Sequence, residues 1–295
     1  MLKQRVITAL VLLAVLLPCL FAASPWPFAL LTLLMIAAAG WEWARLNSSA
    51  GPVDGASTRA GTAGLMPYGF GIGVAGVCAA TLYGLGLQAP PVWCWWLAGL
   101  IWVLGGVFAL RGGPAAWPHA SRPLRLVLGA LALWAAWLAM VQAKTLGINF
   151  LLSIFCLVWA ADVAAYFGGR AFGRRKLAPA ISPGKSWEGV WSGMAAVLVL
   201  ALVWSQVIDR QLAVDSPSLY QLLARQGLFV GVLSVLMLSA MSVVGDLFES
   251  LIKRAVGAKD SSQLLPGHGG VLDRVDALLP VFPLAMALSS LSLAA

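Results

Sequence analysis

Charge is what this sequence has least of. Only 10% of its 295 residues are Asp, Glu, Lys or Arg, while 61% are hydrophobic. A soluble domain carries about 25% charged residues. A surface this poor in charge is not solvated by water, and a lipid-facing surface needs no charge, so the composition excludes an ordinary soluble domain. Cysteine and histidine are also scarce. Cys19, Cys78, Cys94 and Cys156 lie in or beside apolar stretches, without a C-x-x-C pair and without a histidine at metal-ligand spacing. Neither a disulfide framework nor a zinc site is indicated. Repeats of fixed period and low-complexity segments are absent as well.

What is present is a series of long apolar runs. A spanning helix needs about 20 mostly apolar residues, and nine candidates occur, at roughly 6–23, 26–44, 66–87, 92–110, 124–143, 146–167, 188–208, 227–249 and 276–294. The first run, with Lys3 and Arg5 ahead of it and Ala22, Ala23 and Ser24 behind, has features of a signal peptide. The next run follows at once after Pro25 and Pro27, which favours a helical hairpin. Nine spans with the N-terminus in the cytosol leave only Lys144, Arg210 and Arg225 of the 19 basic residues on the outer side. That asymmetry is what the positive-inside rule requires. Residues 45–64 read as a flexible connection and 209–225 as an unspecialised outer loop. Trp41, Trp43, Trp93, Trp95, Trp96 and Trp117 fall near helix ends, as interfacial anchors do. The expected fold is therefore all-α: a polytopic integral membrane protein, multi-pass in the inner (cytoplasmic) membrane. Residues 1–145 form an N-terminal set of about five spans. Residues 146–295 form a C-terminal set of about four, with cytosolic loops at 168–187 and 250–275.

The net charge of +8 fits anionic lipid, phosphate substrates or nucleic acid. Topology and phosphate account for it, which disfavours nucleic acid. The eleven acidic residues are more telling. Asp162, Asp246 and Glu249 sit at or near cytosolic helix ends in otherwise apolar segments, where a carboxylate costs ~2.5–3.5 kcal/mol and usually marks function. Asp246, Glu249, Ser250 and Lys253 follow i, i+3, i+4, i+7 spacing and share one helical face. Lys259 and Asp260 come next, then Pro266, Gly267, His268, Gly269 and Gly270, where glycines allow close backbone approach to a ligand. Asp273 and Asp276 open the last helix. Clustered carboxylates suit Mg²⁺, which binds through a few carboxylates plus substrate phosphates. Lysine and arginine neutralise phosphate oxygens, and the metal offsets charge on a transferred phosphoryl group. The bland alternative is a basic juxtamembrane loop with capping aspartates. It leaves Asp246 and the Pro266–Gly270 run unexplained.

A second polar cluster covers residues 162–189. Asp162 and Tyr166 lie one helical turn apart, Gly168, Gly169 and Gly173 loosen the following loop, and Arg170, Arg174, Arg175 and Lys176 charge it. Ser182, Pro183, Gly184, Lys185 and Ser186 lead into Trp187, with Ser186 a helix cap. Each arginine singly reads as a topology signal. His119 reads as solvated surface. His268 is either a phosphate contact or acid–base group or a residue that holds the turn.

Residues 250–276 closely resemble the phosphatidate cytidylyltransferase (CDP-diacylglycerol synthase) family pattern S-x-x-K-R, K-D, L-P-G-H-G-G-x-x-D-R-x-D, at Ser250, Lys253, Arg254, Lys259, Asp260, Leu265–Gly270, Asp273, Arg274 and Asp276. The upstream elements D-x-x-A-Y-x-x-G and S-P-x-K-[ST]-x-E-G are similar too, at Asp162, Ala165, Tyr166 and Gly169, and at Ser182, Pro183, Lys185, Ser186, Glu188 and Gly189. Gly184 departs from the family's usual second lysine. The resemblance implies that phosphatidate and CTP give CDP-diacylglycerol and pyrophosphate, with Mg²⁺ required, in phospholipid biosynthesis. It implies a dimeric, all-helical enzyme with a funnel-shaped polar cavity open to the cytosol, the first half of the chain serving as scaffold and dimer region. Asp246 and Asp273 match the family's metal ligands. Asp162, Glu249, Asp260 and Asp276 are candidates for outer ligands or a second cation. Lys253, Arg254, Lys259 and Arg274 are expected to hold CTP phosphates, and Ser182, Lys185 and Ser186 a substrate phosphate. The competing readings are a CTP-dependent transferase for another lipid phosphate and, from a different class, a cation-coupled transporter. The apolar helix centres argue against the transporter, and the D-G-x-x-A-R run of CDP-alcohol phosphotransferases is absent.

Overall fold

The computed structural model describes residues 2–48 and 64–293; most of the connection expected at 45–64, including Arg59, lies outside them. The described chain is almost wholly helical: α1 (Leu2–Phe21), α2 (Trp26–Ser48), α3 (Met66–Leu85), α4 (Val92–Ala116), α5 (Arg122–Leu146), α6 (Ile148–Phe172), α7 (Trp187–Val203), α8 (Asp209–Gln211), α9 (Leu219–Ala224), α10 (Leu228–Ala255), α11 (Leu272–Val275) and α12 (Leu278–Leu293). Among the described residues eight helical stretches are long and apolar enough to cross a membrane, and α1 adds a shorter apolar run, Val6–Phe21. Each coincides with a run expected from the sequence. Backbone groups in lipid must be satisfied internally, which is why such runs fold as helices.

Four local departures follow from particular residues. The expected end of the sixth span near residue 167 is overrun, and α6 continues through Gly168 and Gly169 to Phe172. These glycines do not loosen a loop; α7 packs against them. A methyl group at Gly189 would lie 2.7 Å from the Ala165 carbonyl oxygen, and one at Gly193 would lie 2.9 Å from that of Ala161. The rest of the expected loop is partly ordered as a two-stranded antiparallel hairpin, β1 (Lys176–Ala178) and β2 (Ser182–Ser186), with Lys176 opposite Ser186. In α4, Gly113 (φ 69°) and Pro114 break the helix before its last turn. Between α7 and α8 a π-helical stretch, Trp204–Ile208, joins the two into one span.

α12 is the central helix. In its apolar window 83% of residues are buried inside the protein, against 17% for the α7–α8 span, which faces outward. α4, α5 and α10 pack around α12, while α2 pairs with α3 and α6 with α7. Three of the tryptophans expected at the membrane boundary are interior. Trp43, Trp95 and Trp117 are 1%, 3% and 7% exposed. The indole of Trp43 donates to the Arg125 carbonyl at 2.9 Å, that of Trp117 to Asn47 Oδ1 at 2.9 Å, and both rings pack on Phe248. An indole with a satisfied N–H is a large apolar filler.

The segment 209–225 is not an unspecialised loop. Asp215 accepts the first N–H groups of α6, from Ile148 at 2.6 Å and Asn149 at 3.0 Å. Ser153 Oγ receives the Leu219 N–H at 2.9 Å, and the Tyr220 hydroxyl donates to the Ser153 carbonyl at 3.1 Å, folding α9 into the bundle.

Candidate active site

Three polar segments converge at the opposite end of the bundle. The last turns of α10 carry Asp246, Glu249, Ser250 and Lys253; β2 brings in Lys185; the chain between α10 and α12 brings in Ser261, the Pro266–Gly270 turn and Asp273. The i, i+3, i+4, i+7 pattern read from the sequence is a true helical face, since α10 runs on to Ala255.

Lys185 Nζ lies 2.6 Å from Asp246 Oδ2, and Ser250 Oγ donates to Asp246 Oδ1 at 3.4 Å. Lys253 Nζ pairs with Glu249 and lies 2.6 Å from Asp273 Oδ1. Glu249 is 2% exposed; its carboxyl group pairs with Lys253 and lies beside Asp273. Asp162 and Asp276 complete the group, both within reach of the charges of Asp246 and Lys185. Two ammonium groups thus face five carboxyl groups.

The other expected residues divide into those that shape the turn and those that face outward. Asp273 Oδ2 accepts the Ser261 N–H at 3.0 Å, the Ser261 hydroxyl at 2.9 Å and the Gly270 N–H at 2.8 Å. Gly267 and Gly269 have φ of 76° and 81°, a backbone region that side chains disfavour. A methyl group at Gly269 would also sit 2.7 Å from Asp273 Oδ2. The turn closes through Leu265, whose N–H reaches the Gly269 carbonyl at 2.9 Å. Arg274 Nε donates to the His268 carbonyl at 3.0 Å, so its guanidinium braces the turn. Arg254 donates to the carbonyls of Ile181 at 3.3 Å and Ala258 at 2.8 Å, tying the hairpin to the end of α10. Ser186 is buried, and its hydroxyl caps α7 by accepting the Gly189 N–H at 3.2 Å. Ser182 lies partly buried at the start of β2, and Lys259 and Asp260 are exposed. His268 keeps a buried Nδ1 that has no hydrogen-bond partner among the described residues. Glu188 receives the N–H groups of Arg174 and Arg175, each at 3.1 Å, which pins the hairpin to α7.

Glu42 and Arg45 of α2 and Ser261 were missed by the sequence reading. Glu42 is fully buried beneath the turn. It is an acidic residue near the end of an apolar span, the signal that singled out Asp246. Ser261 carried no signal, because its role depends on contacts with distant residues. A largely apolar cavity of about 850 Å³ lies between α4 and α5; it includes Arg111 and touches α10 at Phe248, away from the carboxylates.

Apolar spanning helices, with carboxylates and ammonium groups gathered at one end, define an integral membrane protein with a site suited to cations and phosphate. The chain belongs to the cytidylyltransferase family, whose model matches residues 3–292. It is 39% identical to a phosphatidate cytidylyltransferase of Pseudomonas aeruginosa over 98% of this chain and 97% of that one. A phosphatidate cytidylyltransferase of Haemophilus influenzae is 39% identical over 96% of each chain. One of Brucella suis is 46% identical over 133 residues, 45% of this chain and 44% of that one.

Proposed function

We propose that this protein is a phosphatidate cytidylyltransferase: it transfers CMP from CTP to the phosphate of phosphatidate, giving CDP-diacylglycerol and pyrophosphate. The near full-length similarity to named phosphatidate cytidylyltransferases supports the activity. The observation that carries the site assignment is the meeting of Lys185, Asp246, Lys253 and Asp273, drawn from segments far apart in sequence. In the reaction a phosphatidate oxygen attacks the α-phosphorus of CTP. The bond between the α-phosphorus and its bridging oxygen breaks, and pyrophosphate leaves. The nucleophile is already anionic, so no protein base is needed.

The donor chemistry fits Mg²⁺. Among the described residues no three acidic or thiol/imidazole side chains form a ready-made metal cage. Mg²⁺ does not need one, since it takes one or two carboxylates and completes its shell with substrate phosphates and water. Asp246 and Asp273 are the ligands we assign. Asp273 presents Oδ1 for this, because Oδ2 is saturated by Ser261 and Gly270. Bound Mg²⁺ supplies charge neutralisation at the phosphates. Asp162, Glu249 and Asp276 are assigned as outer partners of the metal ligands or as holders of a second cation. Lys185 and Lys253, already lodged among carboxylates, are the nearest cations for phosphate oxygens, with Lys259 exposed at the rim. Arg254, Arg274 and Ser186 act by shaping the site. The enzyme works as a homodimer in the cytoplasmic membrane, with this end of the bundle in the cytosol.

The test is pyrophosphate release by purified protein given CTP, phosphatidate and Mg²⁺, each omitted in turn. Release that needs all three supports the proposal. Folded protein that releases none with phosphatidate but acts on another lipid phosphate would replace it.

A further inference from the structure

We infer that Glu42 is a positioning residue for Asp273, acting through Ser261; this rests on the metal role proposed above for Asp273. Glu42 is completely buried, and its carboxylate gathers four donors from both arms of the Pro266–Gly270 turn. Oε2 accepts the Leu272 N–H at 2.6 Å and, at 3.2 Å, shares with Asp273 the one proton of the Ser261 hydroxyl. Oε1 accepts the Val271 N–H at 3.0 Å and the Ser262 hydroxyl. Residues 261–262 enter the turn and 271–272 leave it, so one side chain from α2 clasps both ends. Three residues along α2, Arg45 donates to the Ser261 carbonyl.

Ser261 is the link to the site. It is also fully buried. Its hydroxyl lies 3.2 Å from Glu42 Oε2 and 2.9 Å from Asp273 Oδ2, and its N–H lies 3.0 Å from the same Asp273 oxygen. The packing leaves no slack, because a methyl group on Gly270 would collide with both the Ser261 hydroxyl and Glu42. The turn can therefore hold Asp273 in one orientation, with Oδ2 bound to Ser261 and Gly270, and Oδ1 2.6 Å from Lys253 Nζ and 3.3 Å from the Ser261 N–H. Outer partners that orient a ligating carboxylate typically change metal affinity or activity about 10–100-fold when removed.

Glutamine is not a neutral replacement at position 42. Both carboxylate oxygens accept a backbone N–H, so one face of the amide would oppose donor to donor. The experiment compares full-length wild type, Glu42→Gln, Ser261→Ala and Ser262→Ala in detergent. It measures kcat, the Mg²⁺ concentration for half-maximal rate, and the rise in melting temperature on adding Mg²⁺ with CTP. Glu42→Gln and Ser261→Ala are expected to lower kcat about 10–100-fold, to raise the Mg²⁺ midpoint and to shrink the melting shift. Ser262→Ala, which loses a bond to Glu42 and none to Asp273, is expected to keep the wild-type midpoint. If Glu42→Gln does not fold, the serine pair decides. Folded Ser261→Ala with an unchanged midpoint, or the same change in Ser262→Ala, overturns the inference. A wild type without activity would instead overturn the proposed function.

Discussion

Both ends of the helical bundle are polar, but they spend their polar groups differently. At the end formed by α6, α8 and α9, carboxylates close on hydrogen-bond donors. Asp215 holds the N–H groups of Ile148 and Asn149, and Asp209 accepts from Asn149 at 2.8 Å and Ser218 at 2.6 Å. Lys144 donates to the Ala22 carbonyl at 3.1 Å. This end has no ion pair among the described residues; all four lie at the other end. There, five carboxylates crowd two lysines, and a fully buried glutamate props the turn from below. The first end is a joint whose groups satisfy one another. The second packs more carboxylates than cations into a partly buried space, where burial disfavours the charged form, and it is the end to which the proposed function assigns the chemistry.

That contrast is most exposed to failure at Lys253. Lys253→Met leaves Glu249 and Asp273 buried without their shared cation. Breaking a buried pair from one side costs about 3–5 kcal/mol. A marked fall in melting temperature is expected along with loss of activity, and Glu249→Gln in the same chain should recover part of the stability. A single variant that melts with wild type would mean that the charge at this end is not tightly coupled.

A smaller effect is expected at the far joint. Asp215→Asn loses capping bonds worth about 1 kcal/mol, with kcat unchanged, because nothing there touches substrate. Burial raises the pKa of the Asp215 carboxyl, but the N–H groups of Asn149 and Ile148 outweigh that and hold it below its ordinary value. The folded pKa is depressed, so this contribution is present above the unfolded value near ~3.9 and fades as pH falls through the folded one. Melting curves across that window should show acid sensitivity in wild type that the variant lacks. A drop in kcat would break the division between the two ends.

The smallest effect is expected at Gly184, where this chain departs from its family. A side chain there meets open space. Gly184→Lys should leave stability within about 0.5 kcal/mol and sharpen the view of the hairpin as a phosphate-facing element if it lowers the KM for either substrate.

The helices were legible because each apolar run must close its own backbone bonds, and the shared face of Asp246, Glu249, Ser250 and Lys253 was legible because α10 continues past them to Ala255. Element ends were less so. Gly168 and Gly169 look like loop residues until α7 is seen lying against them, and Trp43 and Trp117 look like boundary anchors until their indoles find Arg125 and Asn47. Arg274 read as a phosphate ligand, yet its guanidinium is bonded to the His268 carbonyl. Such assignments depend on partners that local sequence does not display. Glu42 is different: the rule that picked out Asp246 applied equally to it, but its partners lie in the other half of the chain.

The most direct test of the account compares initial rates of CDP-diacylglycerol formation by Asp273→Asn and Asp215→Asn, each an isosteric loss of one carboxylate at one end of the bundle. A loss of at least about 100-fold is expected for Asp273→Asn, with wild-type rate for Asp215→Asn. Equal rates in the two variants, with both proteins folded, would contradict it.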